Sequence, residues 1–371
     1  MKVCLVGYYG KGNFGDDLLL KITYALVCRS IPDAQIFVYC DTYHEAYLPA
    51  ILPGDFTIVR PGNRLHFDLI VHGGGGNYHD YGNYGLADRF LNLFIGLFGF
   101  QYYVVIDRAL RNLAGRRWMT ASTRVGWGVG IGTFNAGSPR LRHSFHELMS
   151  FEKLFVRDRM SLENLERIGV CRNAILGSDL AFLTDVWLQP TLSSNSKKLS
   201  SGKSKLGLIL RDWPTPEAMA ILVGAERFVR TLEDFYEVTI FVLDQRDHQV
   251  LSAFNAFHKH VWMPNKIGMG EYCELLASQN VIITSRAHGA ICAAILGVPS
   301  LILEIEPKLR TIHELLPRAT RLISPQELLN KGLKQRIDEL LGIALQSIFE
   351  DVSINADLAR QALSLCNLTN P

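Results

Sequence analysis

An excess of charge of one sign is the first thing this sequence lacks. Its 38 Lys and Arg residues stand against 36 Asp and Glu, a formal net charge of +2 over 371 residues, so composition offers no electrostatic argument for a nucleic-acid partner. Paired cysteines are lacking too. Cys4, Cys28, Cys40, Cys171, Cys273, Cys292 and Cys366 are scattered without a CxxC spacing. They read as reduced core residues of a cytoplasmic protein, which excludes a disulfide frame or a zinc site of that type. No cluster has recognisable metal-ligand spacing, and neither a metal nor a cofactor is expected. The opening MKVCLVGYYGKG has no signal-peptide hydrophobic region with a small-residue cleavage site, so export is not expected. Long apolar runs are scarce. The exception, residues 90–106, is interrupted by Asn92 and Gln101, weakened by two glycines and short for a spanning helix. Arg108, Arg111, Arg116 and Arg117 follow it at once. Two readings stay open for this stretch. One is a buried helix with a solvated basic face; the other is a peripheral segment resting on anionic lipid at the inner face of the membrane.

What is present is length and alternation. At 371 residues the chain exceeds one ordinary core, and two domains are expected. Short apolar strands at 2–6, 35–40, 68–72, 124–131, 154–156 and 174–176 alternate with helical stretches, the signature of a parallel α/β sheet. Residues 189–205, QPTLSSNSKKLSSGKSK, are rich in Ser, Lys and Gly and nearly free of apolar side chains, so they read as a linker. The alternation then restarts with strands at 206–210, 238–243, 281–283 and 300–305. The expected organisation is an N-terminal domain over 1–188, the linker, and a C-terminal domain over 206–371 ending in two or three amphipathic helices.

Polar turns follow the strands. After the first comes GYYGKGNFGDD, whose glycines permit tight turns and close backbone approach, with Gly12, Asn13, Gly15, Asp16 and Asp17 at the start of a helix. It is neither a Walker loop nor a GxGxxG fingerprint, since the spacing differs and no Lys-Ser/Thr pair closes it. Capping of the helix is expected to account for one of the two aspartates. The run 73–76, four glycines including Gly74 and Gly75 and followed by Asn77, suggests backbone that approaches a ligand or the neighbouring domain. The chemically richest turn is in VIITSRAHGAICAAILGVPSLILEIEPK. There Ser285, Arg286 and His288 sit between a strand and a small-residue helix, where ligands collect at strand ends in parallel sheets. Arg286 offers a planar fork of donors to carboxylate or phosphate, and His288 can move a proton near neutral pH. The bland alternative is a helix cap at Ser285 with two incidental polar neighbours.

These motifs together resemble the polysaccharide pyruvyl transferase family over nearly the whole chain. The resemblance rests on GYYGKGNFGDD, HGGGGN, GWGVGIGT, VRDRMS, GSDLAFL and SRAHGAICAAILGVPSLILEIEPK in that order. It implies two Rossmann-like domains facing across a cleft, similar to the two-domain glycosyltransferases. It also implies transfer of a pyruvyl group from phosphoenolpyruvate to two sugar hydroxyls, giving a ketal and phosphate. The acceptor would be a polysaccharide or its lipid-linked oligosaccharide precursor, as in exopolysaccharide and cell-envelope synthesis. Arg286 and His288 match the family's Arg-x-His turn. Arg211 matches an arginine after the first C-terminal strand that looks like a phosphoenolpyruvate ligand, and Lys308 matches a lysine after the next strand. His288 is then the candidate proton donor, and Asp16 or Asp17 the group that orients or deprotonates a sugar hydroxyl. The sequence departs from the family at Ala287, where a larger apolar residue is common, and at Glu304 and Glu306, where an aromatic is frequent. Two other classes remain: a nucleotide-sugar glycosyltransferase in which Glu304 or Glu306 holds a ribose, and a non-catalytic binding protein.

Overall fold

The computed structural model describes residues 1–40, 46–60, 65–78, 119–134, 139–170, 173–188, 202–212, 216–329 and 332–366. The N-terminal sheet holds β1 (Lys2–Val6), β2 (Gln35–Tyr39), β3 (Thr57–Val59), β4 (His66–Tyr78), β5 (Thr120–Ile131), β6 (Lys153–Val156) and β7 (Ala174–Leu176). All its pairings are parallel, in the order β3-β2-β1-β4-β5-β6-β7. The C-terminal sheet repeats the plan with β8 (Ser204–Ile209), β9 (Tyr236–Val242), β10 (Lys259–Val261), β11 (Val281–Thr284), β12 (Ser300–Leu303) and β13 (Thr320–Ile323), ordered β10-β9-β8-β11-β12-β13. These are two Rossmann-like α/β units. Central strands such as β11, VIIT, are buried at every position, as parallel strands covered on both faces must be. In each sheet the chain reverses its direction of winding between two neighbouring strands, β1 and β4 in the first, β8 and β11 in the second. The turns after these strands are the ligand-binding positions of an open parallel sheet.

The halves are joined by a continuous apolar core. Val3, Leu5, Phe14 and Leu18 of the N-terminal half belong to the same buried cluster as Ile209, Phe241, Trp262 and Ile291 of the C-terminal half. Phe14 stands edge-on to Trp262, ring centroids 5.0 Å apart, and its N–H donates to the Leu243 carbonyl at 2.8 Å. The helix Ala287–Ile295 is built of small residues and is buried almost throughout, which lets neighbouring helices from both halves close on it. The last helix, Leu345–Leu365, returns to the N-terminal half. Ser178 donates to its Asn355 at 2.7 Å, and its Arg360 pairs with Asp185 at 3.0 Å.

Several sequence boundaries shift. The polar stretch 189–205 ends two residues early, because Ser204 and Lys205 already form the first rungs of β8 opposite Tyr236 and Glu237; residues 189–201 lie outside the described ones. The first helix, Phe14–Ser30, already begins inside the glycine loop, since Asn13 caps it by accepting from the N–H groups of Gly15 and Asp16. Strands β3, β10 and β13 have three or four residues each, too few to show a period in sequence. Among the described residues no helix is long and apolar enough to cross a membrane, and no group of three or more metal-ligating side chains occurs. Residues 90–117, with the arginine cluster, fall outside the described residues. Among the described residues Cys4, Cys28, Cys40, Cys273, Cys292 and Cys366 form no disulfide.

Candidate active site

The turn after β11 is fixed by hydrogen bonds that leave the Arg286 side chain for other work. Thr284 Oγ1 accepts from the Arg286 N–H at 3.0 Å, and Ser285 N–H donates to Ile209 at the end of β8 at 2.9 Å. Ser285 Oγ is buried and accepts from the Arg211 N–H at 3.0 Å. It neither caps a helix nor faces an open site. Its function is to pin the turn that carries Arg211 beside the turn that carries Arg286.

Three cations gather there, each held by a carboxylate of the same half. Arg211 Nη1 and Lys308 Nζ approach the same oxygen of Glu306, at 3.0 and 2.8 Å. Arg286 Nη2 is hydrogen-bonded to Asp247 and lies 3.7 Å from Asp244, while its Nε is buried with no hydrogen-bond partner among the described residues. Asp244 is also gripped at both oxygens by one edge of Arg246, Nε to Oδ1 at 2.8 Å and Nη2 to Oδ2 at 2.6 Å. Burial pushes the Asp244 carboxyl up, but Arg246 and Arg286 outweigh it and hold the group below its ordinary range. For Asp247 burial prevails over Arg286 and the carboxyl is raised. Burial likewise lowers the Lys308 ammonium against the pull of Glu306.

The N-terminal half brings its first helix against this group. Gly15 faces His288 so closely that a Cβ there would lie 2.1 Å from His288 Nδ1, so only glycine admits the ring. Asp16, in the same helical turn, is half-buried and within electrostatic reach of His288, Asp244, Arg246 and Arg286; burial, reinforced by Asp244, raises its carboxyl. Asp17 points the other way. It is fully buried, and its two oxygens accept from Tyr47 Oη at 2.9 Å and Trp262 Nε1 at 2.7 Å. Asn13 is occupied too, capping the helix and donating to Asp244 at 3.1 Å, and Gly12 gives its N–H to Tyr47 Oη at 2.7 Å.

Residues 13–307 match the family model of polysaccharide pyruvyl transferase. The chain belongs to the polysaccharide pyruvyl transferase family. No curated protein matches the sequence. Among solved structures, this pyruvyl transferase is similar to UDP-GlcNAc 2-epimerase from Neisseria meningitidis bound to UDP-GlcNAc, at 13% identity and TM-score 0.57 over 100% of both chains. It is also similar to the Methanocaldococcus jannaschii UDP-GlcNAc 2-epimerase in complex with UDP-GlcNAc and UDP, at 14% identity and TM-score 0.59 over 99% of both chains. At such identities the likeness is one of fold, two Rossmann-like units facing each other.

The transferase therefore gathers Arg211, Arg286, His288, Lys308 and Asp16 at the junction of its halves and places Asp17, Asn13 and Ser285 in the joints that hold them. Gly73 and Gly74 of the glycine run serve packing, against the expectation that they approach a ligand or the other domain. A Cβ on Gly73 would meet Thr23 Oγ1 at 2.2 Å and one on Gly74 would meet Leu19 at 2.8 Å, so these glycines let β4 lie against the first helix of its own half. Gly75 bends β4 with a φ of 91° where its register to β5 shifts. The side chain of Asn77 lies outside the described ones. Two residues the sequence reading left without a role are at the centre: Arg157 of VRDRMS and Asp179 of GSDLAFL. Arg157 is buried, with Nε 3.1 Å from Asp158 and Nη1 3.5 Å from Asp179. Gly130 makes room for it, since a Cβ there would lie 2.8 Å from its Nε. The signal was available in sequence, as charged residues one position after β6 and three positions after β7.

Proposed function

We propose that this pyruvyl transferase uses phosphoenolpyruvate as donor and builds a cyclic pyruvate ketal on two hydroxyls of a sugar, in a polysaccharide or its lipid-linked precursor. The observation that carries the reading is the meeting of Arg211, from the turn after β8, and Lys308, from the start of the helix Pro307–Leu315, on one carboxylate oxygen of Glu306. A site that already holds an internal carboxylate between two cations has the charge geometry that a small molecule with a carboxylate and a phosphate requires. The donor is assigned to the C-terminal half and the sugar to the N-terminal half. His288 delivers a proton to the methylene carbon, which becomes the methyl group and leaves an oxocarbenium-like centre. One sugar hydroxyl bonds to that carbon and gives up its proton; the carbon–oxygen bond to phosphate then breaks, and the second hydroxyl takes the vacated place. Of the two hydroxyl protons, one replaces that given to the methylene carbon and the other leaves with phosphate. Asp16, with its raised carboxyl, is positioned to take a hydroxyl proton.

The nucleotide-sugar alternative asks Glu304 or Glu306 to hold a ribose. Glu304 is engaged by Arg310 at 2.8 and 3.0 Å, and Glu306 by Arg211 and Lys308. The experiment is a comparison of donors. Phosphate released from phosphoenolpyruvate only when a sugar acceptor is present supports the reading; turnover of a nucleotide sugar with phosphoenolpyruvate inert overturns it.

A further inference from the structure

The histidine that moves the proton is contributed by one half of the molecule, yet two of its nearest neighbours belong to the other. His288 Nε2 is buried and lies 3.6 Å from Asp179 Oδ2; neither atom has a hydrogen-bond partner among the described residues. On the ring's other side Gly15 comes so close that a Cβ would overlap Nδ1 and Cγ. Gly15 and Asp179 are both in the N-terminal half.

Asp179 is itself held rigidly. It is fully buried at the start of the one-turn helix Leu180–Phe182, and its Oδ1 accepts from the Ala181 N–H at 3.0 Å. That bond commits one oxygen and aims the other, Oδ2, between Arg157 Nη1 at 3.5 Å and His288 Nε2 at 3.6 Å. Burial pushes this carboxyl up, but His288 and Arg157 outweigh it, so Asp179 is held in its ionised form. An ionised, buried oxygen facing a buried ring nitrogen favours a proton on that nitrogen. Closure of the halves by about half an ångström would bring the two to hydrogen-bond distance.

We propose that Asp179 is the positioning residue for His288: it holds a proton on Nε2 from across the domain boundary and thereby makes Nδ1, beside Gly15 and Asp16, the nitrogen that exchanges protons with the reactants. The proposal rests on the pyruvyl-transfer reading for its consequence in turnover but not for its geometry. Since Nε2 is buried, the 13% of the His288 side-chain surface that remains exposed lies elsewhere on the group, as the assignment requires. In the reaction the charged ring gives its Nδ1 proton to the methylene carbon, breaking that N–H as the C–H bond forms. It is left neutral with the Nε2 proton in place. Nδ1 is then reprotonated by the sugar hydroxyl as its oxygen bonds to the donor carbon. The proton-transfer group is thus assembled only when both halves are in place.

Asp179→Asn separates this from a role in holding the turn. To keep accepting from Ala181, the amide must place its oxygen at the Oδ1 position, which puts its NH₂ opposite Nε2 and drives the ring proton to Nδ1. The full-length protein with ¹⁵N-labelled histidine, His288→Gln serving for assignment, reports the tautomer by long-range ¹H–¹⁵N correlation without any substrate. Expected are an Nε2–H tautomer in the native protein, its inversion in Asp179→Asn, and a fall in kcat of about 10² or more with the KM for phosphoenolpyruvate within about threefold. An Nδ1–H tautomer in the native protein overturns the proposal even if no variant folds. So does an Asp179→Asn protein that loses melting temperature but keeps the native tautomer and kcat, which is the behaviour of a turn cap and counter-ion for Arg157. If the tautomer inverts while phosphoenolpyruvate proves inert, Asp179 positions His288 as described and only the donor assignment fails.

Discussion

Trp262, directly after β10 in the C-terminal half, donates its indole N–H to the carboxylate of Asp17 in the first helix of the N-terminal half at 2.7 Å, and both side chains are buried. The same carboxylate accepts from Tyr47, whose hydroxyl in turn accepts from Gly12, so a single buried acid ties the glycine loop to the opposite half. Trp262→Phe keeps an aromatic ring against Phe14 and Tyr272 and removes the donor alone. Leaving one Asp17 oxygen unsatisfied should cost about 1–3 kcal/mol. Urea denaturation measures it, and an unchanged midpoint would show that the bond does not join the halves.

The same acid makes a prediction about pH. Burial raises the Asp17 carboxyl from 3.8 to about 7, against the hydrogen bonds from Trp262 and Tyr47, with Asp16 and Asp244 adding to the rise. The folded protein thus keeps a proton that the unfolded chain has released. Its contribution to stability is complete below about pH 3.8 and is lost as pH rises towards about 7. Asp17→Asn keeps an acceptor and has no such titration, so its stability relative to the native protein should climb through that window and level off above it. Melting temperatures of both proteins across the range decide; parallel curves would contradict the assignment.

Gly15 offers a steric test of His288 that leaves the histidine itself untouched. In Gly15→Ala the new methyl overlaps the ring, which must swing away because the alternative is to move a helix. Turnover should fall about 10²-fold, the scale of a lost proton-transfer group, while donor affinity stays within about tenfold. His288→Gln should show the same pattern. Near-normal turnover by a well-folded protein of either kind would remove the proton-transfer role.

Arg286→Ala tests which half holds the donor. Loss of a charge-assisted contact should weaken phosphoenolpyruvate binding about 10- to 100-fold, with acceptor affinity little changed. Calorimetric titration of each ligand gives both numbers, and the reverse pattern would exchange the roles of the two halves.

The fold was largely legible because its central strands are apolar and end in glycine or charge, a contrast that survives in sequence. Arg211, Arg286, His288 and Lys308 were legible for the same reason, being costly residues in turns after strands or just beyond them. What sequence hid was direction. Asp16 and Asp17 are neighbours of one type, yet a helix turns successive side chains by about 100°, so one faces the site and the other the joint. Four glycines in a row look alike in sequence, and only the helix packed on β4 shows that Gly73 and Gly74 serve Leu19 and Thr23. Asp179 stood out as a buried-type charge shortly after β7, but its partner was hidden, because the pairing depends on a histidine more than a hundred positions away that the packing of the two halves brings near.

The most direct test of the central claim is to run the reaction in deuterated water with phosphoenolpyruvate and a sugar acceptor and to analyse the product by mass spectrometry and ¹H NMR. If the enzyme protonates the donor's methylene carbon and closes a ketal, the sugar gains the mass of one pyruvate less one water, its new methyl group carries one solvent deuterium, and one phosphate appears per ketal. A sugar product with no pyruvate-derived methyl group, or one formed without release of phosphate, would contradict it.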